Sequence, residues 1–472
     1  MRSLRTLAPV RENDPRQTGE DRRIRRAAFS VGLAAVLVEY AISANTLEEL
    51  GVAYASSGGN PLIKLHPGTY LAMIAASMVL LMTRPAGAGL MRFFRQTPAL
   101  ASFMLLILFC AFYSIANVGF SGAATYIESF LCAGLLAVAL EVGTERQKRG
   151  LGWWIIGFTV LSIVISIGEG ITHTQLIPIH IGDLTSEQLA QDAENFRGAG
   201  LFAHPLTAAL STMMATFMLL RMRMNALLKA GVFTTFLIGL LSFGGRAALG
   251  TTLVLLVLVA AVALLRGIVT RTLNMGLIGT IVAALLVLPP LMLTLVTTTE
   301  IGSRILTHLY LDDSAEVRNI QWLVLGHLNL HDVLFGVPMD RLDILKYQIG
   351  LGEATVDIEN FWLLMFLNLG AMGFVVFLIA LALFCLHLGR MTSHPLGWLL
   401  LIGAIVVDST SNSLGRKSVD LVFVVACMTA MAGYPRLAPA MSLRRRAITT
   451  LRRTSERLGA RPPRANLAGF KP

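Results

Sequence analysis

The amino-acid sequence predicts an all-α polytopic membrane protein with about 12 transmembrane helices. Three observations predict it. Of the 472 residues, 55% are hydrophobic and only 14% charged, and mean hydropathy is +0.67. A soluble domain carries about a quarter charged residues, and it divides rather than enlarging one core to absorb such an excess. The apolar residues fall in runs near the ~20 that a helix needs to cross a bilayer. Lys and Arg gather in short connections and near both ends, the pattern that orients a membrane protein.

Residues 1–26 are polar and basic without an early apolar stretch, so no cleaved signal peptide is expected. The first apolar run, 27–44, is then an uncleaved signal anchor. Further spans are predicted at 67–83, 98–118, 122–141, 151–168, 201–220, 227–243, 247–265 and 273–296. These nine fill a block over 27–296, each able to satisfy its own backbone hydrogen bonds as lipid demands. A long connection, 297–359, separates the ninth span from the tenth. Spans at 360–388, 396–409 and 419–434 fill 360–434, and 435–472 is a basic, Pro-containing tail drawn to anionic lipid.

Under alternation the basic segments 22–26, 84–95, 146–149, 221–229, 266–271 and 444–464 share one side. The acidic or mixed segments 45–66, 169–200, 297–359 and 410–418 share the other. The positive-inside rule then makes both termini cytoplasmic and 297–359 a large periplasmic loop. In that loop Asp313 and Glu316 have capping-box spacing. They precede an amphipathic stretch with Val317, Ile320, Val324 and Leu328 on one side and Trp322 at the water–lipid boundary. A short helix on the outer membrane surface and one packed over the bundle ends both fit this pattern.

The net charge of +11 raises nucleic acid as a partner. The charge lies in loops and termini, so membrane lipids are the expected partner and nucleic acid is not. Cys110, Cys132, Cys385 and Cys427 all fall in apolar runs and read as small buried hydrophobes without disulfides. The sequence contains no Walker loop, no HExxH and no acidic metal signature, so neither metal nor other cofactor is expected.

Cations are few on the outer side. Arg197 stands in FRGAG (196–200), ahead of a span that opens with His204 and Pro205; Arg246 stands in SFGGRAAL (242–249); Arg304 and Arg318 stand in the large loop. An Arg at membrane depth costs a few kcal/mol and faces a partner or a watery cavity. Guanidinium suits phosphate through its two parallel donors. Gly244 and Gly245 beside Arg246 allow close backbone approach and leave amides to point at an anion. For Arg246 and equally for Arg197 and Arg318, a diphosphate clamp stands against an interfacial anchor; Arg304 reads as a solvated face. Glu359, followed by Asn360 at the start of an apolar run, is either a helix N-terminal anion or a general base. His204 is either a helix-end hydrogen bonder or a second candidate base. Glu39 and Glu128 lie within spans, where ionisable groups are expensive, and the sequence supplies neither with an obvious partner.

Taken in order, FRGAGLFAHPLTAAL (196–210), SFGGRAAL, SAEVR (314–318) and LFGVP (334–338) resemble the motifs of the O-antigen ligase/polymerase superfamily of bacterial inner-membrane enzymes. The resemblance covers about residues 195–390. Where that family closes its loop with a His-Asn pair, this sequence has Glu359-Asn360. The departure points away from the ligase branch, toward a polymerase of exopolysaccharide or O-antigen repeat units. The resemblance implies undecaprenyl-diphosphate-linked glycans as substrates and a chain-length regulator protein as a further partner. It implies metal-independent, inverting glycosyl transfer: Arg246, Arg318 and Arg197 on the diphosphate, Glu359 or His204 as base, Gly244, Gly245 and Asn360 in support. A ligase joining glycan to lipid A or another acceptor, and a transporter of lipid-linked saccharide, are the alternatives.

Overall fold

A computed structural model describes residues 19–52, 54, 64–82, 87–178, 196–269, 320–350, 358, 360–392, 394–410 and 417–434. The regular structure of these residues is all helical, with no strand among them. Span 273–296, Arg304, Asp313, Glu316, Val317, Arg318, Glu359 and the 435–472 tail lie outside the described residues.

Every other predicted span coincides with a helix. In chain order the elements are α1 (Gly19–Ala41), α2 (Ala44–Glu49), α3 (Pro67–Leu81), α4 (Ala88–Gln96) and α5 (Pro98–Val118). Next come α6 (Phe120–Thr125), a π-helical turn (Tyr126–Leu131), α7 (Cys132–Glu141), α8 (Glu145–Thr172), α9 (Pro205–Arg221), α10 (Ala226–Ser242) and α11 (Arg246–Val269). After a 3-10 turn (Trp322–His327) follow α12 (Leu330–Phe335), α13 (Met339–Gln348), α14 (Phe361–Thr392), α15 (Pro395–Asp408) and α16 (Asp420–Ala432). Five helical stretches are long and apolar enough to cross a membrane: Pro98–Asn117, Gly122–Glu141, Glu145–Thr172, Arg246–Val269 and Phe361–Thr392. The helices at predicted spans 27–44, 67–83, 201–220, 227–243, 396–409 and 419–434 are not among them; Pro67–Leu81, Ala226–Ser242, Pro395–Asp408 and Asp420–Ala432 are shorter apolar helices. α1 begins earlier than its predicted span, in the basic residues from Gly19, and α9 is shorter, ending at Arg221.

Burial divides the bundle into an inner and an outer set. α7, α9 and α16 are enclosed on nearly every side, and α16 packs against α7, α8, α9 and α14. Phe103, Phe130, Phe377 and Phe384 link α5, the π turn and α14 through ring contacts. By contrast α11 turns Val254, Val257 and Leu265 outward, and α5 turns out Leu105, Phe109 and Phe112. So large an apolar exterior suits a lipid solvent.

α14 is not one continuous helix. Gly370 interrupts it at φ 62 and ψ 177, a conformation glycine adopts without the Cβ penalty. The segment after α12 fills the break: Val337 N–H donates to the Leu367 carbonyl at 2.6 Å, and Tyr113 Oη donates to the Phe335 carbonyl at 2.9 Å. A Cβ on Gly336 would stand 2.7 Å from the Asn368 carbonyl oxygen. The LFGVP run is thus seated in a broken helix. The described part of the amphipathic stretch before it, from residue 320, is helical and ends in the 3-10 turn. Its Val324, with Ile320 and Leu328, packs on Val337, Leu345, Leu363 and Leu367, so that apolar face rests on protein. Trp322 remains half exposed.

Polar contacts between connecting segments fall into two sets. One joins Asn45 to Ala203, Lys417 to residues 54 and 64, Ser418 to Ser129, and Trp362 to Ser409. The other joins Arg221 to Tyr434 and Lys229 to Leu220 and Met222. The two sets meet opposite ends of the same helices: Ala203 and Ser418 stand before α9 and α16, and Arg221 and Tyr434 stand at or beyond their ends.

Candidate functional site

The first constellation forms where α8, α9, α10 and α11 meet. Residues 196–201 fold back over the end of α8. Glu169 Oε2 accepts the Ala199 and Gly200 N–H groups, both at 2.9 Å, and its Oε1 accepts Leu176 N–H at 2.8 Å. Ser162 Oγ accepts Leu201 N–H at 3.1 Å. An internal carboxylate therefore fills the amide cradle of the FRGAG run. Below it Ser166 and Ser242 share a hydrogen bond of 2.9 Å that ties α8 to α10.

Arg197 leaves this loop along the turn between α10 and α11. Its Cδ and Nε lie 3.3 and 3.5 Å from the point where a Cβ on Gly244 would stand. Gly244 is left-handed, at φ 64, and its N–H donates to the Leu241 carbonyl at 2.9 Å. That corrects the expectation that the Gly244 amide points at an anion: it closes the end of α10. Gly245 is buried against Ala209 of α9, a close approach that any side chain would prevent. Arg246 follows as the first residue of α11, partly exposed. A cation there opposes the helix dipole by about 0.3–1 kcal/mol, so local helix stability does not account for it. Arg197 and Arg246 both have further interactions within the fold.

His204 is exposed and caps α9, its Nδ1 accepting Leu206 N–H at 3.2 Å. In that tautomer Nε2 carries the hydrogen, which makes the ring a donor rather than a base. Asn360 caps α14, with Oδ1 accepting Leu363 N–H at 3.0 Å. Two of the three predicted clamp arginines thus flank one turn, while Arg318 and Glu359 lie outside the described residues.

Sequence reasoning missed a second constellation. Glu39 and Glu128 do have partners. His66, the N-cap of α3, places Nδ1 2.9 Å from Glu39 Oε2 and Nε2 2.8 Å from the Ile42 carbonyl oxygen. Glu128, in the π turn, accepts the His66 backbone N–H at Oε1 and Tyr54 O–H at Oε2, 2.7 Å away. Lys417 Nζ lies 3.9 Å from the same Oε2, donates to the carbonyls of Tyr54 and Lys64 at 3.0 Å each, and sits 4.3 Å above the Tyr54 ring. Burial pushes the Lys417 ammonium below its ordinary pKa, against the pull of Glu128. Burial also lifts the Tyr54 phenol, and Glu128 adds to the rise. At the opposite end of the helices, buried Glu141 and His387 face each other at 3.4 Å, with Lys148 Nζ on the Glu141 carbonyl at 2.7 Å. Among the described residues no three His, Cys, Asp or Glu side chains are placed to hold a metal ion.

Compared with known proteins, the chain matches no family model and no curated sequence.

Proposed function

We propose that this chain is a bacterial inner-membrane glycosyltransferase that polymerises undecaprenyl-diphosphate-linked repeat units at the periplasmic face. The observation that carries the reading is that the Arg197 side chain lies against the glycine turn that Arg246 directly follows, where α8, α9, α10 and α11 meet. Two guanidinium groups beside a helix N-terminus suit a dianionic leaving group. In the reaction the acceptor hydroxyl oxygen forms a bond to the anomeric carbon. The carbon–oxygen bond to diphosphate breaks, and its electron pair leaves with the phosphate. The arginines stabilise that growing charge, the work a metal does elsewhere. Glu359 takes the acceptor proton, the His204 tautomer being suited to donation. In this reading the twelve predicted helices span the bilayer, the termini are cytoplasmic, and 297–359 faces the periplasm.

The broken helix at Gly370 favours a second reading, because interrupted helices at membrane depth are common in transporters. Glycan analysis of a deletion strain separates the two. Single repeats on the carrier lipid at the periplasmic face are expected. Long unattached polymer points to a ligase, and lipid-linked repeats held at the cytoplasmic face point to a transporter; either refutes the polymerase.

A further inference from the structure

The cluster around His66 needs one proton that its drawn bonds do not supply. Nε2 faces the Ile42 carbonyl oxygen, which only accepts, so Nε2 carries a hydrogen. Nδ1 is then the acceptor nitrogen and takes Gly68 N–H at 3.1 Å. Yet Glu39 Oε2 stands 2.9 Å from the same Nδ1. Two acceptors at that distance repel unless a proton lies between them or on the ring. Glu128 does not provide it, since both its oxygens receive donors and Lys417 balances its charge. With one extra proton the cluster is neutral. Without it a net negative charge is left where Glu39 is 4% and His66 2% exposed, and an uncompensated buried charge is costly.

We propose that Glu39 and His66 form a proton-binding site, holding one proton between Oε2 and Nδ1, and that its release loosens the joint between α1 and α3. The same imidazole caps α3 through Gly68 and ties down Ile42 at the end of α1. The Glu39 Cγ lies 2.6 Å from where a Cβ on Gly68 would stand, so the carboxyl is pressed onto the start of α3. Charged or titratable groups reach the cluster from every side: Glu39 from α1, Glu48 from α2, Tyr54 and Lys64 from the connection to α3, Glu128 and Cys132 from the π turn and α7, and Lys417 from the approach to α16. Glu128 sits in a π-helical turn, a costly local geometry often kept for function. The joint also reaches the arginine loop, since Asn45 Nδ2 donates to the Ala203 carbonyl at 2.9 Å. The site stands independently of the glycan chemistry proposed above.

Burial lowers the pKa of His66, but the hydrogen bond and charge of Glu39, the Ile42 carbonyl and Glu128 outweigh it and leave the ring above its ordinary value. A raised folded-state pKa contributes stability that is complete below the unfolded value of about 6.5 and is lost as pH rises through the folded value. Thermal unfolding of the full chain in detergent micelles, across about pH 5 to 9, tests this. The apparent Tm of the wild type should fall by about 1–3 °C in a step above the ordinary histidine range. Glu39→Gln, whose amide donates to Nδ1 without titrating, should be flat over that interval. Superposable profiles, or a wild-type step of opposite sign, would overturn the proposal. Should Glu39→Gln not fold, nitrogen-15 NMR of histidine-labelled wild type decides, with His66→Gln as the assignment control. A protonated Nδ1 at pH above the ordinary histidine range supports the site, and an unprotonated Nδ1 at neutral pH overturns it.

Discussion

Replacing Gly370 by alanine tests whether the break in α14 is built or incidental. Two costs can be worked from the structure. The residue stands at φ 62 and ψ 177, a region essentially reserved to glycine that costs an L-residue about 1–3 kcal/mol. The new Cβ would also stand 2.5 Å from both the carbonyl carbon and oxygen of Leu334. Those atoms are backbone and cannot rotate aside, so about 1–3 kcal/mol of overpacking follows. The sum is about 2–6 kcal/mol. Gly231→Ala is the control: it lies in α10 with no atom within 4 Å of its Cβ position, and alanine there should gain about 0.5–1 kcal/mol of helix propensity. Unfolding both variants by SDS titration from mixed micelles compares them directly. Gly370→Ala should unfold at markedly lower SDS than wild type, and Gly231→Ala at the same or slightly higher. Equal midpoints for the two would refute the claim that backbone from the Leu334–Val337 segment is wedged into the helix break.

Arg246→Lys keeps the charge but loses the bidentate fork, and polymer output should drop about 10²–10³-fold at equal membrane abundance. Arg304→Lys should be nearly silent, and an equal defect in both would rule out a specific clamp. Glu169→Ala deprives three backbone N–H groups of their acceptor, at about 1–3 kcal/mol for each that stays buried and unsatisfied. Amide hydrogen exchange across 196–203 should accelerate while that of α16 is unchanged; unaltered exchange in the loop would show that Glu169 does not hold it.

The helices were legible because a membrane span needs about 20 apolar residues, so 98–118 and 151–168 could be placed from hydropathy alone. Their ends were not, because α8 begins in the charged run Glu145–Arg149, which hydropathy discards. Arg197 and Arg246 stood out as rare cations, and the structure places Arg197 against the turn that Arg246 follows. Glu39 and Glu128 stood out too, but their partners did not. His66 lies 27 residues from Glu39 in sequence, and Lys417 lies 289 from Glu128; only tertiary packing brings such pairs together. A histidine directly before Pro67 was the available hint, since it marks an N-cap whose ring is held in a fixed place. Gly370 was hidden for another reason. In LNLGAMGF it looks no different from Gly373, which stays helical, because the break is set by the backbone segment that enters it.

The enclosed position of α16 has a consequence for biogenesis. It is the last helix described, yet its residues from Leu421 to Met431 are almost wholly sealed among α7, α8, α9 and α14. A ribosome delivers it after its neighbours have already entered the membrane. Until then the slot it occupies must be lined by lipid or by transient contacts, and Glu128 must wait for Lys417, which arrives immediately ahead of α16. Synthesis halted before residue 417 therefore leaves Glu128 without its cation and the slot of α16 open, a bundle that quality-control proteases can recognise, and nonsense mutations just ahead of α16 should be as damaging as early ones.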